Sequence, residues 1–200
     1  MYKRQLGLKG SFTENSKYDP NSPYSASKAS SDHFVRAYHN TYGLPILISN
    51  CSNNYGPHQH VEKLIPNIIN SLIKQIKIPI YGDGKNIRDW LYVDDHCDAI
   101  ELIFKNGNSG ETYNIGGDYE ISNIDLVNSI IKIFDEIKLN TPGKSNKLIE
   151  FVSDRPGHDF RYAIDFSKIK KELKWTPKTN FDKGIRAVSY THLTLPTSPK

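Results

Sequence analysis

Apolar and polar positions come in blocks whose period changes several times along the chain. From Tyr24 to Tyr42 apolar residues (Ala26, Ala29, Val35, Ala37, Tyr38) recur at helical spacing. Ser22-Pro23 supplies a capping hydroxyl and a first-turn proline before this helix, and Gly43 stops it. Residues 46–50 form a short run rich in β-branched side chains and predict a buried strand. Residues 64–76 predict a helix with Pro66 in its first turn, 78–81 a strand, and Gly82-Asp83-Gly84 a turn. Residues 89–93 read as extended, with Asp94 or Asp95 capping a helix that runs to Phe104. A strand at 112–115 ends at Gly116-Gly117. Ser122 and Asp125 make a capping-box pattern before an amphipathic helix reaching Leu139. After a polar loop at 138–147 come short strands at 149–152 and 161–164. A helix at 168–173, capped by Asp165 or Ser167, and a last short helix at 182–188 complete the pattern. Strands and helices thus alternate, which predicts an α/β architecture with parallel pairing and no internal repeat.

Two hundred residues suffice for one large domain or two small ones with a sizeable core. With 37% hydrophobic and 24% charged residues the chain is an ordinary soluble globular sequence, not a disordered tail or a disulfide miniprotein. No run approaches the ~18 apolar residues of a membrane span, and the N-terminus lacks a signal-peptide apolar region. Cys51 and Cys97 are the two cysteines; they have no zinc-type spacing, give no sign of an oxidising compartment, and read as small hydrophobes. The Asn-x-Ser pattern at Asn50 reads as a chance match.

The formal charge is +4. Residues 1–5 (MYKRQ) and 189–200 (SYTHLTLPTSPK) resemble translated sequencing-adapter read-through and are set aside as non-native tails. Without Lys3, Arg4 and Lys200 the chain is close to neutral, which leaves no electrostatic case for nucleic acid or a membrane surface as partner. The basic run at 168–171 reads as a solvated helix face.

The sharpest chemical signal is Tyr24-Ser25-Ala26-Ser27-Lys28 at a helix start. Positions i and i+4 share one helix face, so a phenol and an ammonium stand together. A free tyrosine, with a pKa of about 10, is a poor base at neutral pH. A neighbouring cation favours the phenolate, which can then take a proton from a sugar hydroxyl as hydride leaves the same carbon. Taken alone, five residues also fit an exposed Tyr–Lys pair of no function. Arg88 and Arg155 each stand beside an aspartate, so a phosphate clamp and a surface ion pair are equally open for them. His33, His39 and His96 lie on helix patterns without metal spacing and read as structural; no metal site is expected. His58 and His60 could border a site but are unassigned. Asp94 and Asp95 read as helix caps rather than an acid pair, and Tyr38 and Tyr42 as packing or interface residues.

The segments PYSASKASSDHFVRAYHNTYGLP, NCSNNYGP, EKLIPNII, PIYGDGKNIRDWLYVDDH, GETYNIGG and DRPGHDFRYAID follow one another in this order. Together they resemble the extended short-chain dehydrogenase/reductase family, and within it the nucleotide-sugar dehydratases, over residues 6–188. The resemblance implies a Rossmann-type fold in two parts. Residues 6–60 would be a remnant of the dinucleotide-binding domain with the catalytic helix. Residues 61–188 would be mainly the substrate domain, in part returning to the sheet. It implies Tyr24 and Lys28 as the catalytic pair, with both and Asn54 at NAD. It implies Asn53, Lys63, Leu64, Pro79, Ile80, Tyr81, Arg88, Asn123, Arg155 and His158 at the sugar nucleotide, with Arg88, Arg155 and His158 on the diphosphate.

The implied reaction is NAD-dependent dehydration of dTDP-glucose to the 4-keto-6-deoxy sugar nucleotide, in a cytoplasmic homodimer. A related epimerase or decarboxylase using the same pair, or a non-catalytic nucleotide-sugar-binding module, are the alternatives. The glycine-rich pyrophosphate loop of the family has no match here. Gly7-x-x-Gly10 follows no strand, and Gly82-x-Gly84 leads to Arg88 without a third glycine. The family's Asp-Glu pair for loss of water belongs upstream of Leu6 and is likewise unmatched. The expectation is therefore a C-terminal fragment, inactive alone, of an active parent.

Overall fold

A computed structural model describes residues 6–194. Of the two segments set aside as tails, 1–5 and 195–200 lie outside the described residues, and 189–194 continue the last helix.

Helix α1 spans Pro23–Tyr42. Its start is built as the sequence predicts: Ser22 is the N-cap and its Oγ accepts the Ser25 N–H at 3.1 Å. Gly43 closes it in the left-handed conformation (φ 66°), where a Cβ would be strained. Ser22→Ala is expected to cost about 1 kcal/mol and to lower the melting temperature by roughly 2–4 °C; an unchanged thermal melt would show that the cap is dispensable.

Strand β1 (Ile48–Cys51) pairs in parallel with β5 (Thr112–Ile115). Strand β2 (Asn53–Tyr55) pairs in parallel with β4 (Ile87–Tyr92), which also carries β6 (Glu120–Ser122) antiparallel and β8 (Arg161–Tyr162) parallel. Strand β3 (Ile78–Tyr81) pairs in parallel with β7 (Ile149–Val152). The expected α/β fold with parallel pairing is what forms. The tiny β2 and β6 were not legible, because three residues carry too little periodicity to register.

β4 organises the interior because successive side chains of a strand point to opposite faces. Trp90 enters one cluster with the apolar face of α2 (Leu64–Lys74: Ile65, Ile68, Ile69, Leu72) and of α4 (Asn123–Ile137). Leu91 enters a second cluster with Ala99 and Ile103 of α3 (Val93–Asn106), Tyr113, Ile115, and Ile169 of α5 (Ser167–Leu173). Helix α6 (Phe181–Thr194) closes the first cluster and is longer than the predicted 182–188.

Capping differs from expectation at two helices. α3 starts at Val93 after Tyr92, so Asp94 and Asp95 lie in its first turn, where negative charge favours the helix dipole. Asp95 is buried and accepts the Thr179 N–H at 2.9 Å. At α5 the N-cap is Phe166, and Asp165 Oδ1 accepts the Ser167 N–H one position earlier than a cap. Ser122 caps α4 as predicted, with the Asp125 N–H on its Oγ. That helix ends at Ile137. Part of the polar loop after it winds into a 3-10 turn, Lys144–Leu148, held by Asp135, which accepts from the Ser145 hydroxyl at 2.6 Å.

The segment before α1 is strapped to β8. Arg161 grips Glu120 with two parallel bonds (2.6 and 2.7 Å) and donates to the Gly10 carbonyl at 2.6 Å, while the Phe12 N–H donates to the Ala163 carbonyl at 2.9 Å.

Candidate functional site

The first turn of α1 and the ends of β1 and β2 enclose a cavity of about 490 Å³. Tyr24, Lys28 and Asp32 give it an α1 wall, and Asn50, Cys51 and Asn53 from the β1–β2 segment, with Arg88, Asp159 and Tyr162, complete the lining. The Tyr–Lys pair is brought together as the spacing predicts. Lys28 Nζ stands 5.7 Å from the centre of the Tyr24 ring, within range of a cation–π contact. Tyr24 itself is 69% exposed, so this wall is open to a ligand. Asn50 is buried, and its side-chain Nδ2 has no partner among the described residues although it borders the cavity.

Arg88 is buried on β4 and spends only part of its five-donor guanidinium on the protein. Nη1 donates to the Ile87 carbonyl and Nη2 to the Asp159 carbonyl, both at 2.7 Å. The ion pair with its neighbour Asp89 that the sequence left open does not form, because adjacent strand residues face opposite ways. Asp89 instead accepts the Ser52 hydroxyl, and it accepts the N–H groups of Gly117 and Tyr119 at 3.0 Å. Burial pushes its carboxyl above the usual carboxylate range, and these three donors pull against that shift.

A second pair of basic side chains, Arg155 and His158, stands near Arg88. The Arg155 guanidinium lies 5.9 Å from the Tyr81 ring centre, and the His158 ring meets the same tyrosine edge-on at 6.5 Å. His158 Nδ1 is 2.7 Å from Asp154 Oδ1. Burial draws the imidazole below its ordinary range; the Asp154 bond opposes this, and the charges of Arg155 and Arg88 reinforce it. The Asp154 carboxyl is in turn held low, first by its bond to His158.

The remaining predicted residues are placed as follows. Asn53 borders the cavity, whereas Asn54 does not; the Asn54 amide turns back to Cys51 Sγ and the Ser52 carbonyl, each at 3.3 Å. On β3, Pro79 and Tyr81 face outward while the Ile80 side chain sits in the core. Lys63 and Leu64 lie at the start of α2 without a side-chain cap bond. Asn123 opens α4; its N–H meets the Asn86 carbonyl at 3.0 Å, and Asn86 Nδ2 reaches the Asp159 carbonyl at 3.2 Å. None of Lys63, Leu64, Pro79, Ile80 or Asn123 lines the Tyr24 cavity.

His39 binds the Leu44 carbonyl at 2.7 Å and His33 packs on Tyr18; His58 and His60 do not border the cavity. Among the described residues no three His, Cys, Asp or Glu side chains come together as a metal ion requires. None of the helices described is long and apolar enough to cross a membrane. Sequence reading passed over Ser52 and Asp89. The available signal was an Arg-Asp pair inside a buried strand, which obliges one of the two charges to find partners on the opposite face.

Comparison with known proteins adds to this geometry. The pattern of the GDP-mannose 4,6 dehydratase family matches residues 6–188. The dTDP-glucose 4,6-dehydratase of Xanthomonas campestris pv. campestris (strain B100) is 53% identical over 193 residues, covering 96% of this chain and 55% of the relative. An Escherichia coli dTDP-glucose 4,6-dehydratase is 55% identical over 185 residues, covering 91% of this chain and 51% of the relative. The chain therefore spans about half the length of the curated relatives it matches. Among solved structures, the Bacillus anthracis dTDP-glucose 4,6-dehydratase in complex with NAD superposes with a TM-score of 0.87 at 46% identity, over 96% of this chain and 58% of that one. The Bacillus cereus UDP-glucuronic acid 4-epimerase in complex with UDP-glucuronic acid and NAD reaches 0.82 at 26% identity, over 94% and 58%.

Proposed function

Given that this chain belongs to the GDP-mannose 4,6 dehydratase family, we propose that it supplies the sugar-oxidising and nucleotide-holding residues of an NAD-dependent dTDP-glucose 4,6-dehydratase, converting dTDP-glucose to the 4-keto-6-deoxy sugar nucleotide. The observation that carries this reading is the single cavity that unites Tyr24, Lys28, Asn53 and Arg88. In this assignment residues 6–60 serve the dinucleotide side and 61–188 mainly the substrate side.

Tyr24 acts as the base in its phenolate form: it takes the proton of the sugar C4 hydroxyl and becomes the phenol as hydride leaves C4, with the Lys28 ammonium one turn on as the countercharge of the phenolate. Arg88, with guanidinium donors to spare, and Arg155 hold the two diphosphate charges. Tyr81 and Pro79 offer an outward apolar face to the thymidine, with Lys63, Leu64, the Ile80 backbone and Asn123 along the nucleotide. Asn53 contacts the hexose. The residues at the α1 end fit a nicotinamide ribose: an ammonium, a phenol and the unpartnered Asn50 amide offer hydrogen bonds to its hydroxyl and amide groups, with Asn54 behind them. NAD, when bound there, supplies the acceptor for the C4 hydride. No residue described here is assigned to the loss of water across C5–C6.

Titrating this chain with dTDP-glucose while following Trp90 and Trp175 fluorescence tests the reading. Saturable binding is expected, and its absence at millimolar ligand refutes the nucleotide-holding role.

His158 gives this binding a pH dependence. Its pKa is depressed by burial in the free chain, so it is neutral at pH 7. A bound diphosphate favours the protonated imidazole, and binding takes up a proton. Affinity for dTDP-glucose, whose diphosphate does not titrate in this range, is therefore expected to rise as pH falls from 7.5 to about 5.5. His158→Asn should flatten the profile; a slope that survives the substitution places the proton elsewhere.

The outer face of α1 presents Phe34, Tyr38 and Tyr42, at least half exposed and four residues apart, with the last two rings 5.6 Å from each other. We assign this stripe to a homodimer contact in a cytoplasmic enzyme. Phe34→Glu with Tyr38→Glu should halve the sedimenting mass, and an unaltered mass would rule the stripe out as the interface.

A further inference from the structure

We infer that the buried Ser52–Asp89 pair is a positioning device for the sugar end of the cavity, holding Asn53 in place while Arg88, the neighbour of Asp89, serves the diphosphate end. The inference rests on the nucleotide-sugar reading above and assigns Ser52 and Asp89 no contact with substrate.

Asp89 is 2% exposed, and its three donors come from two separate segments: Ser52 on one side, Gly117 and Tyr119 on the other. Ser52 is itself buried and immediately precedes Asn53, the first residue of β2. That strand has three residues, paired to β4 from Asn53↔Trp90 to Tyr55↔Tyr92. So short a ladder is weakly pinned in register by backbone bonds alone. The Ser52–Asp89 bond stands one residue ahead of the first pair and anchors the strand where it enters the cavity wall. The second segment is pressed equally hard on β4, since a Cβ on Gly117 would lie 1.8 Å from the Trp90 carbonyl oxygen. Asp89 thus sits between two segments that cannot shift independently of it. The alternation of the strand sends Arg88 to the opposite face, where it borders the same cavity as Asn53. One strand therefore sets the spacing between a sugar contact and a diphosphate contact.

The test compares two ligands on this chain by calorimetry: dTDP, which ends at the diphosphate, and dTDP-glucose, which adds the hexose. Ser52→Ala leaves Asp89 two backbone donors, so a cooperative melt is expected to persist. Its affinity for dTDP-glucose should fall about tenfold while that for dTDP stays within about twofold. Asn53→Ala should behave alike, and the double variant should be no weaker than either single one, because Ser52 acts through Asn53. Equal weakening of both ligands, loss of the cooperative melt, additive effects in the double variant, or no effect of Ser52→Ala each overturn the positioning role. If the unmodified chain binds neither ligand, the nucleotide-sugar reading fails first and takes this inference with it. Binding of the unmodified chain with an indifferent Ser52→Ala sinks the inference alone.

Discussion

Tyr24→Phe is expected to lower turnover of dTDP-glucose by roughly 10²–10⁴-fold, the usual worth of a positioned general base. The assay needs a protein that joins this chain to an NAD-binding half, and the signal is the reduced nicotinamide formed in a single turnover. The substitution removes one oxygen and keeps the ring, so the Lys28 ammonium retains the aromatic face it now lies over at 5.7 Å. Tyr24 is largely exposed and contributes little to the core, so its loss of oxygen should not disturb folding. Binding of dTDP-glucose should change by less than about twofold, because the diphosphate contacts proposed above use Arg88 and Arg155 and not Tyr24. A variant that still forms reduced nicotinamide at the original rate would falsify the assignment of Tyr24 as the base.

Arg88→Ala is expected to weaken dTDP binding by roughly 10–150-fold, the equivalent of about 1.5–3 kcal/mol for hydrogen bonds to a charged group. Two effects add. The diphosphate loses its proposed guanidinium partner, and the Ile87 and Asp159 carbonyls each lose one donor. The second effect also loosens the loop that carries Asp159 and, through it, the contact to Asn86. Arg88→Lys should recover little, since one ammonium cannot satisfy both carbonyls and still reach the ligand. Calorimetry with dTDP, set beside a thermal melt, separates the two contributions. Binding that survives Arg88→Ala at full strength would move the diphosphate to the Arg155–His158 group alone.

The elements with a long, clear period were legible from the residues. α1 between Ser22-Pro23 and Gly43, the apolar stripes of α2 and α4, and the β-branched runs of β1, β3 and β5 all fall within a few residues of expectation. So did the pairing of Tyr24 with Lys28, because one helical turn is a local relation. What escaped was short or remote in sequence. β2 and β6 have three residues each and exist only because β4 lies between them. The partners of Asp89 come from Ser52, 37 residues before it, and from Gly117 and Tyr119 after it. The grip of Arg161 on Glu120 and Gly10 spans more of the chain still, and no local pattern records it.

By itself, the order of residues determined which segments would be helix or strand, where α1 would start and stop, and which family motifs the chain carries. These follow from backbone preference, capping and side-chain period, all of which act over a few residues. Tertiary structure alone decided which way each charge on β4 points. It decided that Asn53 rather than Asn54 borders the cavity, and that Arg88 is held by backbone carbonyls instead of its neighbouring aspartate. Those outcomes depend on burial: a polar group removed from water must take whichever partners the packing of distant segments brings within reach, and that packing is settled only when the whole sheet assembles.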